Sequence, residues 1–123
     1  MSSIPQVVLN SIAYGAANGP YNGSATTWSS DKVKGNGYYG YTDGLHTVSY
    51  KLTNFVGIID FQASLLQNPT DSDWFDITST IVGNGNTAVT GSYFFNYSGN
   101  FVWCRAHITN FTGGNINQVL YNT

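Results

Sequence analysis

The acidic residues are the most concentrated chemical feature of the chain. All six are aspartates, and three lie in the stretch QNPTDSDWFDI: Asp71, Asp73 and Asp76. Oxygen ligands in one short loop could bind Ca²⁺, but Trp74 and Phe75 stand where a calcium loop needs its glycine and later ligands. A glycosidase pair needs a carboxyl group with a raised pKa, which an exposed loop does not provide. We therefore expect a structural turn, with Asp71 and Asp73 capping its N–H groups, and no metal.

Other catalytic patterns have less support. His46 and His107 are far apart, and no HxH or CxxC spacing joins them into a zinc site. A serine triad can be composed from the Ser, His and Asp residues, but no nucleophile-elbow motif accompanies it. The segment KGNGYYG follows no hydrophobic strand, opens no helix and has no GKS or GKT sequence, so it does not match a phosphate loop. The lone Cys104 lies in the alternating run FVWCRAHIT and is expected to be a buried thiol. We expect no catalytic residues and no cofactor.

Aromatic residues in turn-rich sequence are better candidates for a binding surface. Four of them lie where a core has little use for them: Trp28, Tyr38, Tyr39 and Tyr41. Exposed Tyr and Trp beside Asn and Asp can stack on sugar rings, and the same residue types are enriched in protein interfaces. Composition does not choose between a glycan and a protein partner.

Composition limits the classes of partner. Only 8% of residues are charged and the net charge is -2, so the chain lacks the basic surface that nucleic acid requires. MSSIPQVVLN has neither a basic start nor a sustained apolar run, so we expect no secretory leader, no membrane partner and synthesis in a cytoplasm. A neutral surface of Asn, Ser, Thr and Tyr costs less to desolvate than a charged one, which favours a permanently assembled subunit.

Alternating apolar and polar residues predict an all-β fold. Residues 47–53 and 58–66 alternate on either side of NFVG, which predicts a hairpin between two strands with one face buried and one solvated. In the second run Asp60, Gln62 and Ser64 fall on the polar face. Further strands are expected at 74–78, 88–97, 101–109 and 115–121, with breaks at the Gly- and Asn-rich segments. Together these strands predict an antiparallel β-sandwich of about seven to eight strands, with a jelly-roll or immunoglobulin-like topology.

One strand has two different faces. In residues 101–109 one stripe is small and apolar, and the other combines aromatic and cationic residues: Phe101, Trp103, Arg105 and His107. The second stripe is expected to cover another layer of the protein or to contact a neighbour.

The first part of the chain differs from the rest. Residues 1–45 are rich in Gly, Asn, Ser and Tyr, whereas residues 46–123 carry the strand patterns. Residues 1–45 are therefore either an extended arm that becomes ordered on assembly or a loop-rich half wrapped on the sandwich. In both cases the chain is expected to be one domain.

Two long segments carry a family resemblance. SYKLTNFVGIIDFQASLLQNPTDSDWFDI, residues 49–77, and SGNFVWCRAHITNFTGGNINQVLYN, residues 98–122, resemble small virion proteins of tailed bacteriophages. The similarity is greatest to those of the contractile-tailed phages of marine cyanobacteria, and DWFDI and GNFVW are its most specific parts.

The resemblance implies a non-enzymatic β-sandwich that serves as a structural or decorating module of the virion. It places Gly57 in a turn at a strand end, and Trp74, Phe75 and Ile77 in a core strand edged by solvated aspartates. Its partners would be capsid or tail subunits, with a homo-oligomer expected. The alternative is a glycan-binding module on the virion surface that uses Trp28, Tyr38, Tyr39 and Tyr41.

Overall fold

A computed structural model describes residues 6–40 and 44–123. Within them the chain forms seven strands: β1 Gln6–Ala13, β2 Trp28–Ser29, β3 Val33–Lys34, β4 Leu45–Ser64, β5 Phe75–Val82, β6 Val89–Ser98 and β7 Trp103–Asn122. Two short 3₁₀ turns lie at Asn36–Tyr39 and Asp71–Asp73. All strand pairs are antiparallel. The predicted all-β, sandwich-like fold is confirmed.

Strands β4 and β7 form the spine of the fold. They pair from Thr47↔Asn122 to Ser64↔Trp103, with register shifts near their middles. On one side of these shifts β1 and β6 extend the pair, and we call this part the first half. On the other side β2, β3 and β5 extend it, which we call the second half. One continuous sheet thus supplies both layers.

The two bends occur at the tripeptide TNF, which appears in both spine strands. Asn54 in β4 has φ 51° and Asn110 in β7 has φ 52°, a left-handed conformation that Asn tolerates better than most residues. The phenylalanines that follow, Phe55 and Phe111, are fully buried with ring centroids 5.7 Å apart. The repeated sequence therefore marks two bends that pack against each other.

The predicted hairpin across NFVG is wrong. Residues 47–53 and 58–64 belong to the single strand β4, and both pair with β7 instead of with each other. Gly57 accordingly lies inside β4 at its bend, not in a turn at a strand end. The predicted strands at 101–109 and 115–121 are likewise joined, as the single strand β7. An irregular φ inside a long strand interrupts the alternation in the same way as a turn does.

The core lies between the two halves. The ring of Phe61 in the second half stacks on those of Tyr121, at 5.7 Å, and Tyr50, at 6.4 Å, in the first. Cys104 is fully buried, as predicted, and its thiol accepts a hydrogen bond of 3.2 Å from the Tyr97 hydroxyl. Burial raises the pKa of Cys104 to about 11, so the thiol stays protonated and unreactive at neutral pH.

The described N-terminal residues belong to the sandwich. Strand β1 pairs with β7 and places Leu9 and Ile12 in the core, so residues 6–13 are not an extended arm. Tyr21 and Trp28 pack on Phe111. Trp28 is only 8% exposed, which corrects its assignment to a surface loop. Tyr41 lies outside the described residues.

Candidate functional site

The outer face of the second half collects most of the polar side chains singled out by the sequence. Arg105 and His107 project from β7, directly opposite Gln62 and Asp60 of β4. Ser29 of β2 lies opposite His107 on the other side. Because partners across a ladder share one face, a row of Ser29, His107 and Asp60 crosses three strands.

This face is largely covered. Alternation placed Asp60, Gln62 and Ser64 on a solvated face, but all three are buried. The segment 65–74 folds back over them: Trp103 Nε1 donates a hydrogen bond of 2.8 Å to the Gln67 carbonyl oxygen, and the Arg105 guanidinium lies 4.4 Å from the Trp74 ring centroid. The assignment to a solvated face is therefore wrong, because a loop that follows β4 shields that face.

Arg105 is the central charge of the face. Its Nε donates a hydrogen bond of 2.8 Å to Gln62 Oε1, and Gln62 Nε2 donates one of 2.9 Å to Asp76 Oδ1. Its Nη1 lies 3.8 Å from Asp71 Oδ1, which is an ion pair but too long for a hydrogen bond. The Arg105 side chain is 14% exposed, and burial lowers its pKa while Asp71 partly opposes the shift.

Asp60 and Asp76 lie close together next to Gln62, and they differ in burial. Asp60 is 6% exposed, whereas Asp76 is exposed on β5. Burial raises the pKa of Asp60 to about 8, and the charge of Asp76 and a hydrogen bond to it add to the shift. Asp60 is therefore protonated at pH 7 and can donate to the Asp76 carboxylate.

Ser29 and His107 form a close pair, with 2.8 Å between Oγ and Nδ1. Burial and the neighbouring Arg105 lower the pKa of His107, against a smaller opposing effect of Asp76. The imidazole is therefore neutral at pH 7. Although Ser29, His107 and Asp60 are triad residue types, a protonated Asp60 cannot stabilise an imidazolium as a triad carboxylate does.

A cleft of about 570 Å³ opens over this row, within the size range of small-molecule sites. Its lining consists of Thr27, Trp28, Ser29, Ser30, Gln62, Asp71, Arg105 and His107. Hydroxyl, amide and guanidinium groups thus dominate, which suits a polar ligand.

The acidic stretch QNPTDSDWFDI, residues 67–77, is mainly structural. The Asp73 carboxylate accepts hydrogen bonds from the Thr70 N–H, at 2.7 Å, and the Thr70 hydroxyl, at 2.9 Å, which lower its pKa. Asp71 is fully exposed and approaches Arg105. Phe75 is 42% exposed, with its ring 5.5 Å from Phe101, so its assignment to the core is wrong, whereas Ile77 packs against the core.

Aromatic side chains form a second cluster at one end of the same face. The Tyr38 ring lies 5.0 Å from Trp103 and 5.5 Å from Tyr39, and we call these three residues the aromatic platform. The ammonium groups of Lys32 and Lys34 lie over Trp103 and Tyr38. Tyr38 and Tyr39 are both exposed.

The outer face of the first half is different in character. Its ladder aligns Val7, Leu120, Ser49 and Phe94 in one row across β1, β7, β4 and β6. Val7 is 57% exposed and Phe94 69% exposed. Polar rows flank them, formed by Asn10, Gln118, Lys51 and Ser92 on one side and by Asn122, Thr47 and Asn96 on the other. We call this surface the Phe94 face, and within these aligned rows Lys51 is the one charged residue.

Comparison of the chain with protein-family models, curated proteins and solved structures finds no match. Across residues 6–40 and 44–123, no three His, Cys, Asp or Glu side chains are grouped so as to hold a metal ion. In the same part of the chain, no helix has the length and apolarity to cross a membrane.

Proposed function

We propose that the protein is a non-enzymatic accessory structural protein of a tailed-phage virion, which decorates the capsid or another repeated particle surface as a homo-oligomer. The Phe94 face is the observation that supports this proposal. It is a row across four strands in which Val7, Leu120 and Phe94 are apolar and Ser49 is polar, bordered by amides and hydroxyls. The resemblance of residues 49–77 and 98–122 to small phage virion proteins points to the same class.

The composition of the Phe94 face suits lasting contact with another protein. Burying Val7, Leu120 and Phe94 removes apolar surface from water at a gain of about 25 cal/mol per Å². The surrounding Asn, Gln, Ser and Thr side chains cost less to desolvate than charges and can form hydrogen bonds across an interface. Binding to the assembled particle then stabilises the lattice by mass action.

We expect Phe94→Lys to weaken particle binding at least tenfold, because a buried unpaired ammonium costs more than about 1.4 kcal/mol. The fold should survive, since Phe94 is 69% exposed. Co-sedimentation with particles that lack the protein measures the affinity. Leu65→Lys is the matched control, because Leu65 is 61% exposed on the second half. Unchanged binding by Phe94→Lys would show that the Phe94 face is not the interface.

The aromatic platform favours a second candidate, a glycan-binding module on the virion surface. The exposed rings of Tyr38 and Tyr39, packed with the half-buried ring of Trp103, offer aromatic surface on which sugar rings can stack. Trp28 no longer belongs to this set, because it is in the core.

We expect Tyr38→Ala to abolish binding to any bacterial polysaccharide that the wild-type protein retains on a glycan array. Tyr14→Ala serves as the control, because Tyr14 is 50% exposed and lies outside the platform. Equal loss in both variants would point to a general effect on folding. Silence of the wild-type protein across the array would argue against glycan binding altogether.

A further inference from the structure

The guanidinium of Arg105 retains unused donors. Its Nε is bonded to Gln62 and its Nη1 is 3.8 Å from Asp71. Among the described residues, no side chain or carbonyl group accepts a hydrogen bond from either Nη atom. A guanidinium presents its N–H groups as a planar fork that matches a carboxylate. Arg105 therefore offers a largely buried cationic fork at the wall of the cleft.

Neighbouring groups add neutral donors. Thr27 lines the cleft with a hydroxyl group that can donate, whereas the Ser29 hydroxyl is bonded to His107 Nδ1 and offers its lone pairs. In the tautomer in which His107 Nδ1 accepts the Ser29 proton, His107 Nε2 carries a proton and is a further donor. The negative charge nearest to these groups on the sheet is that of the Asp60–Asp76 pair, and the Gln62 amide is bonded to Asp76. The cleft thus presents the Arg105 guanidinium, the Thr27 hydroxyl and His107 Nε2 as donors, with the exposed Asp71 carboxylate as the competing anion.

Asp71 indicates where an anion would sit. Its carboxylate is fully exposed, and at 3.8 Å from Nη1 it makes no direct hydrogen bond that an incoming anion would have to break. Because the Asp71 carboxylate is fully hydrated and makes no direct hydrogen bond to the guanidinium, this ion pair contributes little. An incoming carboxylate that makes two direct hydrogen bonds to the fork would therefore displace Asp71 at small cost.

The position of the cleft indicates what carries this carboxylate. Arg105 lies two residues from Trp103 on the same face of β7, so the aromatic platform and the cleft are only about 7 Å apart along the strand. A chain of sugar rings could stack on the platform and enter the cleft, where the hydroxyl groups of Thr27 and Ser29 meet sugar hydroxyls. A small free carboxylate would use the fork but not the stacking surface.

We propose that the cleft binds an acidic saccharide, with the carboxylate of a uronic acid residue held by Arg105. The site lies on the opposite face from the proposed particle interface. The inference deepens the second candidate function and rests on it for the class of ligand.

The test uses the full chain and three probes: sodium glucuronate, glucose and sodium acetate. NMR titration should show saturable shifts at the Ser29, Arg105 and His107 amides with glucuronate, at an affinity at least roughly tenfold above those for glucose and acetate. The affinity should fall with added salt. Equal affinities for glucuronate and glucose would overturn the acidic preference while leaving glycan binding in place. Acetate binding as tightly as glucuronate would show that the cleft recognises a carboxylate and no sugar. Binding of none of the probes would overturn the acidic-saccharide site, while the glycan array separately decides whether the aromatic platform binds glycans.

Substitutions test whether the Arg105 guanidinium is the group that binds glucuronate. Arg105→Gln should abolish glucuronate binding, and Arg105→Lys should weaken it while keeping the charge, because an ammonium lacks the fork. Asp71→Asn should tighten binding by removing the competing carboxylate. Lys51→Gln removes one positive charge, as Arg105→Gln does, but on the opposite face, and it should leave the affinity for glucuronate unchanged. Wild-type affinity in Arg105→Lys, or no gain in Asp71→Asn, would contradict this arrangement.

Discussion

Asp60→Asn is expected to raise the free energy of unfolding at pH 8 by several kcal/mol, with an upper bound of about 6 kcal/mol. Asp60 is buried at 6% exposure beside Asp76, and burial raises its pKa from the ordinary value of 3.8 to about 8. Asparagine fills the same volume and can donate an N–H to Asp76, as protonated Asp60 does. It has no proton to lose, so it removes the cost of ionising a buried carboxyl group.

The sign of the effect follows from proton binding. Between about pH 4 and 8 the native state holds the Asp60 proton, while the unfolded state releases it. The wild-type free energy of unfolding should therefore fall across this range, by about 1.4 kcal/mol per pH unit at most, and level off above pH 8. Urea unfolding of both proteins at pH 4, 6 and 8 gives the difference at each pH.

Taking the difference isolates Asp60 from the other titrations. His107, with its lowered pKa, contributes the opposite slope, because its unfolded form binds the extra proton below about pH 6.5. That contribution is common to wild type and variant. Asp76→Asn should recover a smaller part of the slope, since burial is the largest cause of the Asp60 shift. A wild-type minus variant difference that stays constant from pH 4 to 8 would show that Asp60 titrates normally.

The sequence predicts the strand content well because alternation is a local property. Runs such as Val89–Ser98 carry their period in a few residues, and the structure forms the strand there. Local pattern fails at Asn54 and Asn110, where a left-handed residue allows β4 and β7 to bend and continue. Whether such a break is a turn or a bend depends on the partner strand, which lies about fifty residues away in the chain.

The site is harder to predict for the same reason. Arg105 and His107 were singled out from their stripe, but Ser29, Gln62 and Asp60 join them only through pairing with β2 and β4. The raised pKa of Asp60 depends on its burial in the folded sheet and on Asp76 of β5. Conversely, Trp28 lies in turn-rich sequence, and only the packing of Tyr21 and Phe111 shows why the core needs it.

Gly114→Ala is expected to destabilise the protein by at least about 3 kcal/mol. Gly114 lies in β7 beside the bend, with φ 79°, a conformation that is strained for alanine. An added Cβ would also overlap the carbonyl oxygen of Asn54, at the bend of β4. Relief would require the two spine strands to separate where Phe55 and Phe111 pack.

Gly15→Ala separates the two contributions, because Gly15 has φ 87° and nothing lies within 4 Å of its added Cβ. It carries the backbone strain without the overlap and should cost only about 1 kcal/mol. Urea unfolding of the two variants measures both losses on one scale. The excess in Gly114→Ala then reports the close approach of β4 and β7. Equal losses in the two variants would mean that the spine strands are not held together at the bend.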